Sequence, residues 1–438
     1  MMDREALHEY ARGALWVLPG LAGMTALLAG SMLSQVDIGP DSPLAPFVFQ
    51  GTADDARGLL ITITGTVVTV IALTLGLTVV ALQLSSTQFS PRLLRNFLRD
   101  RPNQVVLSVF VATFTYSAAG LYTVGVSAGE RVERYPRLAI TGAMVLLFVS
   151  LAAVVYFADH LAHSIQIDAI IKRVESETVR MVRHGADHAE EVRQRRPDWA
   201  VALTSSRSGY MQRVHPEAIL PVAARHGVTI RLRPHIGEHV VAGTALAWIW
   251  RASADEPTPD PQTFRRAVEG AVRVGFERTL EQDVGFGIRQ LTDVACKALS
   301  PAINDPYTAA QSIDHLSVIF AELAQRPLGD LVERDPTGRG AVVVPGRNFP
   351  ELLSFACGMI RRYGAREPTV LLALLRLLGN CAEVTVDPER LAVIDDEASL
   401  ILTHGEATIA QSADVVQVRL AAEAVHNRVR VRQSAAAA

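Results

Sequence analysis

The chain has 438 residues and a formal net charge of −3, with 42 Lys and Arg against 45 Asp and Glu, so no basic excess marks it for nucleic acid. Its three cysteines, Cys296, Cys357 and Cys381, show neither CxxC nor metal-ligand spacing, which suits a reducing compartment and points away from disulfides and zinc. Charge is placed unevenly: the runs Gly13–Val36, Gly58–Pro91, Pro102–Gly129 and Leu138–Ala158 contain none.

A helix needs about 20 mainly apolar residues to cross a bilayer core, and each run is long enough. Runs such as LLITITGTVVTVIALTLGLTVVALQL are too long and continuous for barrel strands, so residues 1–163 read as a four-span helical membrane domain. The spans are expected at about 13–36, 59–84, 104–126 and 138–158. Asp3, Glu5 and Glu9 precede the first run and no small-residue cleavage site comes before Asp37, so it reads as a retained span.

Loop charges set the orientation. Arg92, Arg95, Arg99 and Arg101 fall between spans two and three, whereas Asp37, Asp41, Asp54 and Asp55 follow span one, although Arg131, Arg134 and Arg137 sit in the next outer loop. The arginine-rich loop is expected on the cytoplasmic side, with both termini cytoplasmic. Within it, FSPRLLRNFLRD reads as a short amphipathic surface helix below span two. There Arg92, Arg95 and Arg99 would meet anionic headgroups and act as a gate or lipid contact.

In span two, Thr62, Thr66, Thr69, Gly76, Gln83 and Thr87 recur at three- and four-residue steps, or their sums, on one helical face. Such a stripe either lines a water-filled path or lets helices pack closely, and the residues alone leave both open. No span carries an ionisable group in its centre, which disfavours an ion-coupled carrier and favours a channel assembled from several copies. At the exit of span four, Asp159, His160 and His163 read as an interfacial polar set beside Tyr156. They would form a metal site only with ligands from neighbouring chains.

Residues 164–198 continue as a helical extension, with Ile167, Ile170, Ile171, Val174, Thr178 and Val182 on one face. Residues 199–250 change to short β-rich runs with a helix, PEAILPVAARHG, inserted. Their IGEHVVAGTAL segment resembles the hairpin of lipoyl and biotinyl carrier domains and membrane-fusion adaptors. The segment has no lysine, so attachment of such a group is not expected. A Pro- and acid-rich linker, 251–262, precedes a helical domain, 263–438, of about seven members with one strand near Val342. Its sharpest stretch holds Arg289, Asp293 and Lys297 at four-residue spacing. Asn304 and Asp305 follow, with Asp305 as N-cap ahead of Pro306; the set serves a polar pocket or simply builds the helices. No nucleotide-loop, zincin or hydrolase motif appears, so neither an enzyme nor a cofactor is expected.

LQLSSTQFSPRLLRNFLRDRPNQVVL and ALSPAINDPYTA resemble signatures of a bacterial family of predicted membrane proteins known as domain of unknown function 2254. The resemblance extends over nearly the whole chain and implies a bacterial membrane protein without supplying a catalytic residue. The combined expectation is an α-helical inner-membrane protein with a cytoplasmic small β module and helical bundle. It would work as a homo-oligomeric ion channel or channel-like transport protein, in contact with the lipid bilayer and an ion or small ligand. The alternative is a membrane-anchored scaffold or sensor whose tail binds a partner or ligand without conduction.

Overall fold

Each charge-free run contains a helix in the computed structural model, which describes residues 14, 16–36, 43, 45–88, 101–124, 136–164, 166–186, 189–190, 196–257 and 259–437. These helices are α1 (Val17–Leu33), α2 (Ala53–Gln88), α3 (Arg101–Thr123) and α4 (Arg137–Ser164). Three stretches, Ala53–Ala81, Arg101–Tyr122 and Arg137–His163, are long and apolar enough to cross a membrane. The expected first span, 13–36, is cut down to α1, whose 17 residues rise about 26 Å. The second starts earlier than expected because Thr52 and Asp55 cap it reciprocally. Asp55 N–H donates to Thr52 Oγ1 at 3.2 Å, and Thr52 N–H donates to Asp55 Oδ2 at 2.9 Å.

The chain divides into two units, Met1–Ala169 and Ile170–Ala438. In the first, α3 is the central helix and touches α1, α2 and α4. Small residues let it approach α1 closely: a methyl group at Gly30 would meet Ala119 Cβ at 3.2 Å, and Thr115 Oγ1 donates to the Gly23 carbonyl at 3.1 Å. Its other side buries Val106 and Phe110 with Leu60, Ile63 and Ile140. Because α3 is enclosed, its polar residues Gln104, Ser108, Thr113 and Ser117 are buried, and Thr113 shares a 2.8 Å hydroxyl bond with Ser150 of α4.

The second unit begins within α5 (Ile167–Ala186), and the expected amphipathic face buries Ile171, Val174, Thr178 and Val182. Strands β1 (Ala189–Glu190), β2 (Val201–Thr204) and β3 (Gly209–Val214) follow, then α6 (Pro216–His226), β4 (Thr229–Leu232), β5 (His239–Val240) and β6 (Ala245–Trp250). After the linker come α7 (Gln262–Ala271), β7 (Val272–Gly275), α8 (Val284–Ala298) and α9 (Pro306–Gln325). The chain then adds β8 (Asp330–Arg334), β9 (Ala341–Val344), α10 (Phe349–Gly364), α11 (Pro368–Val384), α12 (Pro388–Thr408) and α13 (Ser412–Ala437).

The strands form a six-stranded sheet in the order β1-β8-β9-β4-β6-β2 and a three-stranded sheet in the order β5-β3-β7. Two expectations change here. Residues 199–250 do not close into their own barrel, because β4 pairs in parallel with β9 and β3 pairs with β7. The region after 263 holds three strands, not one, and they supply the missing partners. One apolar core accordingly joins Leu203, Ile219, Ile230 and Ile249 to Phe264, Val342 and Val344. Helices α8 to α13 pack mainly on one another, with α11 between α9 and α13.

Helix α5 is fastened to this bundle by close contact at a glycine. An alanine methyl at position 287 on α8 would lie 2.0 Å from Thr178 Oγ1, itself bonded to the Val174 carbonyl at 2.6 Å. Gly287→Ala is therefore expected to cost about 1–3 kcal/mol by overpacking, and Thr178→Ala in the same chain to recover most of it. Chemical denaturation of the single and double variants measures this, and equal losses in both would refute the contact.

Candidate functional site

The stripe of α2 is gathered on the outer side of its own unit. Ala56, Leu60, Ile63 and Val67 face inward, whereas Thr62, Thr66, Thr69, Gly76 and Gln83 are exposed. Thr62 and Thr69 donate to the carbonyls of Gly58 and Gly65 at 2.8 and 3.1 Å, so hydroxyls on this face are compatible with lipid. A methyl group at Gly58, Gly65 or Gly76 would meet nothing within 4 Å, in contrast to Gly30 in its helix contact. The Thr87 side chain and Arg92, Arg95 and Arg99 lie outside the described residues.

At the end of α4, His163 Nδ1 meets the Asp159 carbonyl at 2.8 Å and its carboxylate at 3.4 Å, and His160 stacks on Tyr156 with centroids 6.0 Å apart. Among the described residues no group of three or more metal-ligating side chains forms there or elsewhere.

The ALSPAINDPYTA stretch is the corner between α8 and α9. Asp305 caps α9, accepting from Thr308 N at 3.0 Å and Thr308 Oγ1 at 2.6 Å, and these bonds hold its carboxyl below the usual range. Asn304 takes a left-handed backbone with φ of 51°, and Asp305 N–H returns to the Ala298 carbonyl at 2.8 Å. Arg289 and Asp293 pair at 3.7 Å further up α8, and Lys297 stands in its last turn. The Asp305 carboxylate and N–H thus serve to shape the corner itself. Burial pushes the Cys296 thiol up to about 12 and raises those of Cys357 and Cys381, which disfavours the nucleophilic thiolate form in each.

A cleft of about 660 Å³ in the C-terminal unit went unread in the sequence. Met181, Ile236, Leu331 and Leu352 are among its apolar walls. At the start of α8, Asp283 is 2% exposed, caps the helix by accepting from Phe286 N–H at 3.0 Å, and accepts a bidentate bond from Arg278 at 2.8 and 2.9 Å. Arg347 follows the close turn at Gly346 and gives Nη1 to Glu351 at 2.6 Å, while its buried Nε has no partner. His215 meets Glu217 at 2.7 Å, and His235 Nδ1 lies 3.3 Å from the Pro345 carbonyl. These groups come from turns far apart in sequence, and the only local signal was the glycine pair Gly285 and Gly287 opening a helix.

Apolar helices of membrane-crossing length joined to a mixed α/β unit define a membrane protein. The family described as predicted membrane protein (DUF2254) matches residues 12–380, and the chain belongs to it. An uncharacterized protein of Mycobacterium tuberculosis strain H37Rv is 42% identical over 421 residues, covering 95% of this chain and 80% of the relative. An uncharacterized protein of Mycobacterium bovis shows the same identity and coverage. No solved structure matches.

Proposed function

We propose that the chain works as a homo-oligomeric, channel-like protein of the bacterial inner membrane, with four spans, both termini cytoplasmic and α2 helices from several copies facing one another. The observation that carries this reading is the outward position of Thr62, Thr66, Thr69, Gly76 and Gln83 on α2. In a membrane, a face of small and hydroxyl-bearing residues favours close contact with another helix, and its oxygens can line a path between copies. Helix α1 serves as the fourth span in this reading, supported by its packing along α3.

Two measurements test it together. Cysteine placed at Thr69 is expected to cross-link between copies in native membranes, while cysteine at Ala143, on α4 and fully buried inside the unit, is not. Purified protein in liposomes is expected to pass ions, with flux lost in Thr69→Leu and Gln83→Leu. Absence of both cross-linking and flux would overturn the proposal. A second reading, a membrane-anchored sensor, is favoured by the cleft; it predicts ligand binding by the C-terminal unit with no flux under any condition.

A further inference from the structure

The cleft has a volume within the range of small-molecule sites, apolar walls and a few convergent polar groups. Its polar end has unused donors. Arg347 Nε is buried and unpartnered, and Gly285 leaves the backbone bare beside it: a methyl group there would stand 3.1 Å from that nitrogen. The amides of Val284 and Gly285, first in α8, have no acceptor among the described residues. The nearby carboxylate of Asp283 is neutralised by Arg278, so it does not repel negative charge. Glu217 and Glu281, also in the lining, sit beside His215 and Arg213, at 2.7 and 3.9 Å, and can accept bonds from a ligand's hydroxyl or amino groups.

We propose that this cleft binds a small organic anion whose phosphate or carboxylate group is held by Arg347 and the backbone of Val284 and Gly285, with a hydrogen-bond-donating body extending toward Glu217 and Glu281. A guanidinium edge and main-chain amides together match the planar or tetrahedral oxygens of such a group. The bond to Glu351 leaves Nε free and orients the guanidinium, and Gly285 keeps the approach clear. The proposal stands independently of conduction by the membrane helices.

The test uses the full-length protein in detergent and inorganic phosphate as the minimal probe. At about 50 mM phosphate against chloride of equal ionic strength, the unfolding midpoint of the C-terminal unit is expected to rise by about 3 °C or more. Arg347→Gln should abolish the difference. Arg339→Gln, which removes an exposed arginine outside the cleft lining, should retain it. No phosphate-specific shift in the native chain, or an equal shift in Arg347→Gln, would overturn the proposal. With the phosphate effect established, a larger shift from AMP assigns the site to a soluble phosphomonoester, and a larger shift from dioctanoyl phosphatidic acid assigns it to a lipid headgroup.

Discussion

Gly237→Ala is expected to lower the thermal midpoint of the C-terminal unit by on the order of 10 °C. The residue has a φ of 85°, and an alanine methyl would lie 1.9 Å from Asp283 Oδ2 and 2.9 Å from Arg278 Nε. The left-handed backbone alone costs about 1 kcal/mol with a side chain present. The larger effect comes from forcing apart a charge pair whose members are 16% and 2% exposed, which costs about 3–5 kcal/mol when one partner is left alone. Gly243 supplies the control: its φ is also 85°, but a methyl there meets nothing within 4 Å. Calorimetry of both variants should show a small loss for Gly243→Ala and a several-fold larger one for Gly237→Ala. Equal losses would mean that backbone strain, not the ion pair, sets the requirement for glycine.

Asp330→Ala should be about as damaging, by about 3–5 kcal/mol, because it leaves Arg231 charged and unpaired in the six-stranded sheet. Arg231 on β4 bonds Asp330 at the start of β8, with side chains 17% and 2% exposed, and Asp330 Oδ1 also receives the Gly346 N–H at 3.4 Å. Removing both charges is a different experiment. Arg231→Leu with Asp330→Leu should recover most of the loss, since well-packed apolar residues replace a buried pair at little cost. Urea unfolding of the single and double variants decides it, and a double variant no better than Asp330→Ala would show that the carboxylate matters through the Gly346 turn instead.

What could be read in the sequence was whatever repeats locally. The inward face of α5, from Ile171 to Val182, follows helical spacing, and β2, β3, β4 and β6 stand out as short runs between glycines. The capping by Asp305 was legible for the same reason, because cap and first turn are adjacent. Pairings between distant residues were not. Thr229 lies beside Ala341 and Val214 beside Val272, and nothing in strands of four to six residues announces such partners. In the membrane unit the threonine stripe of α2 is conspicuous in sequence, yet it is exposed, and among the described residues the buried polar ones are Gln104, Ser108, Thr113 and Ser117 of α3 with Thr74 of α2 and Ser150 of α4. Hydroxyls that bond back to their own helix carry no signal of which neighbour they meet. The cleft was invisible because the turns around Asp283, Pro345 and His215, far apart in sequence, meet only in the tertiary structure.

The parallel pairing of β4 with β9 also has a consequence for how the protein is made. A ribosome adding about 5–20 residues per second reaches Val343 roughly 5–20 s after Arg231, its partner in the register. Through that interval β4 lacks one neighbour, and for its first part the face of α5 that carries Thr178 waits for Gly287 of α8. During synthesis the nascent C-terminal unit therefore presents a bare strand edge and an apolar helix to the cell's folding factors. A chain stalled or truncated before β9 becomes a substrate for chaperones and proteases, whatever the state of the membrane helices already made.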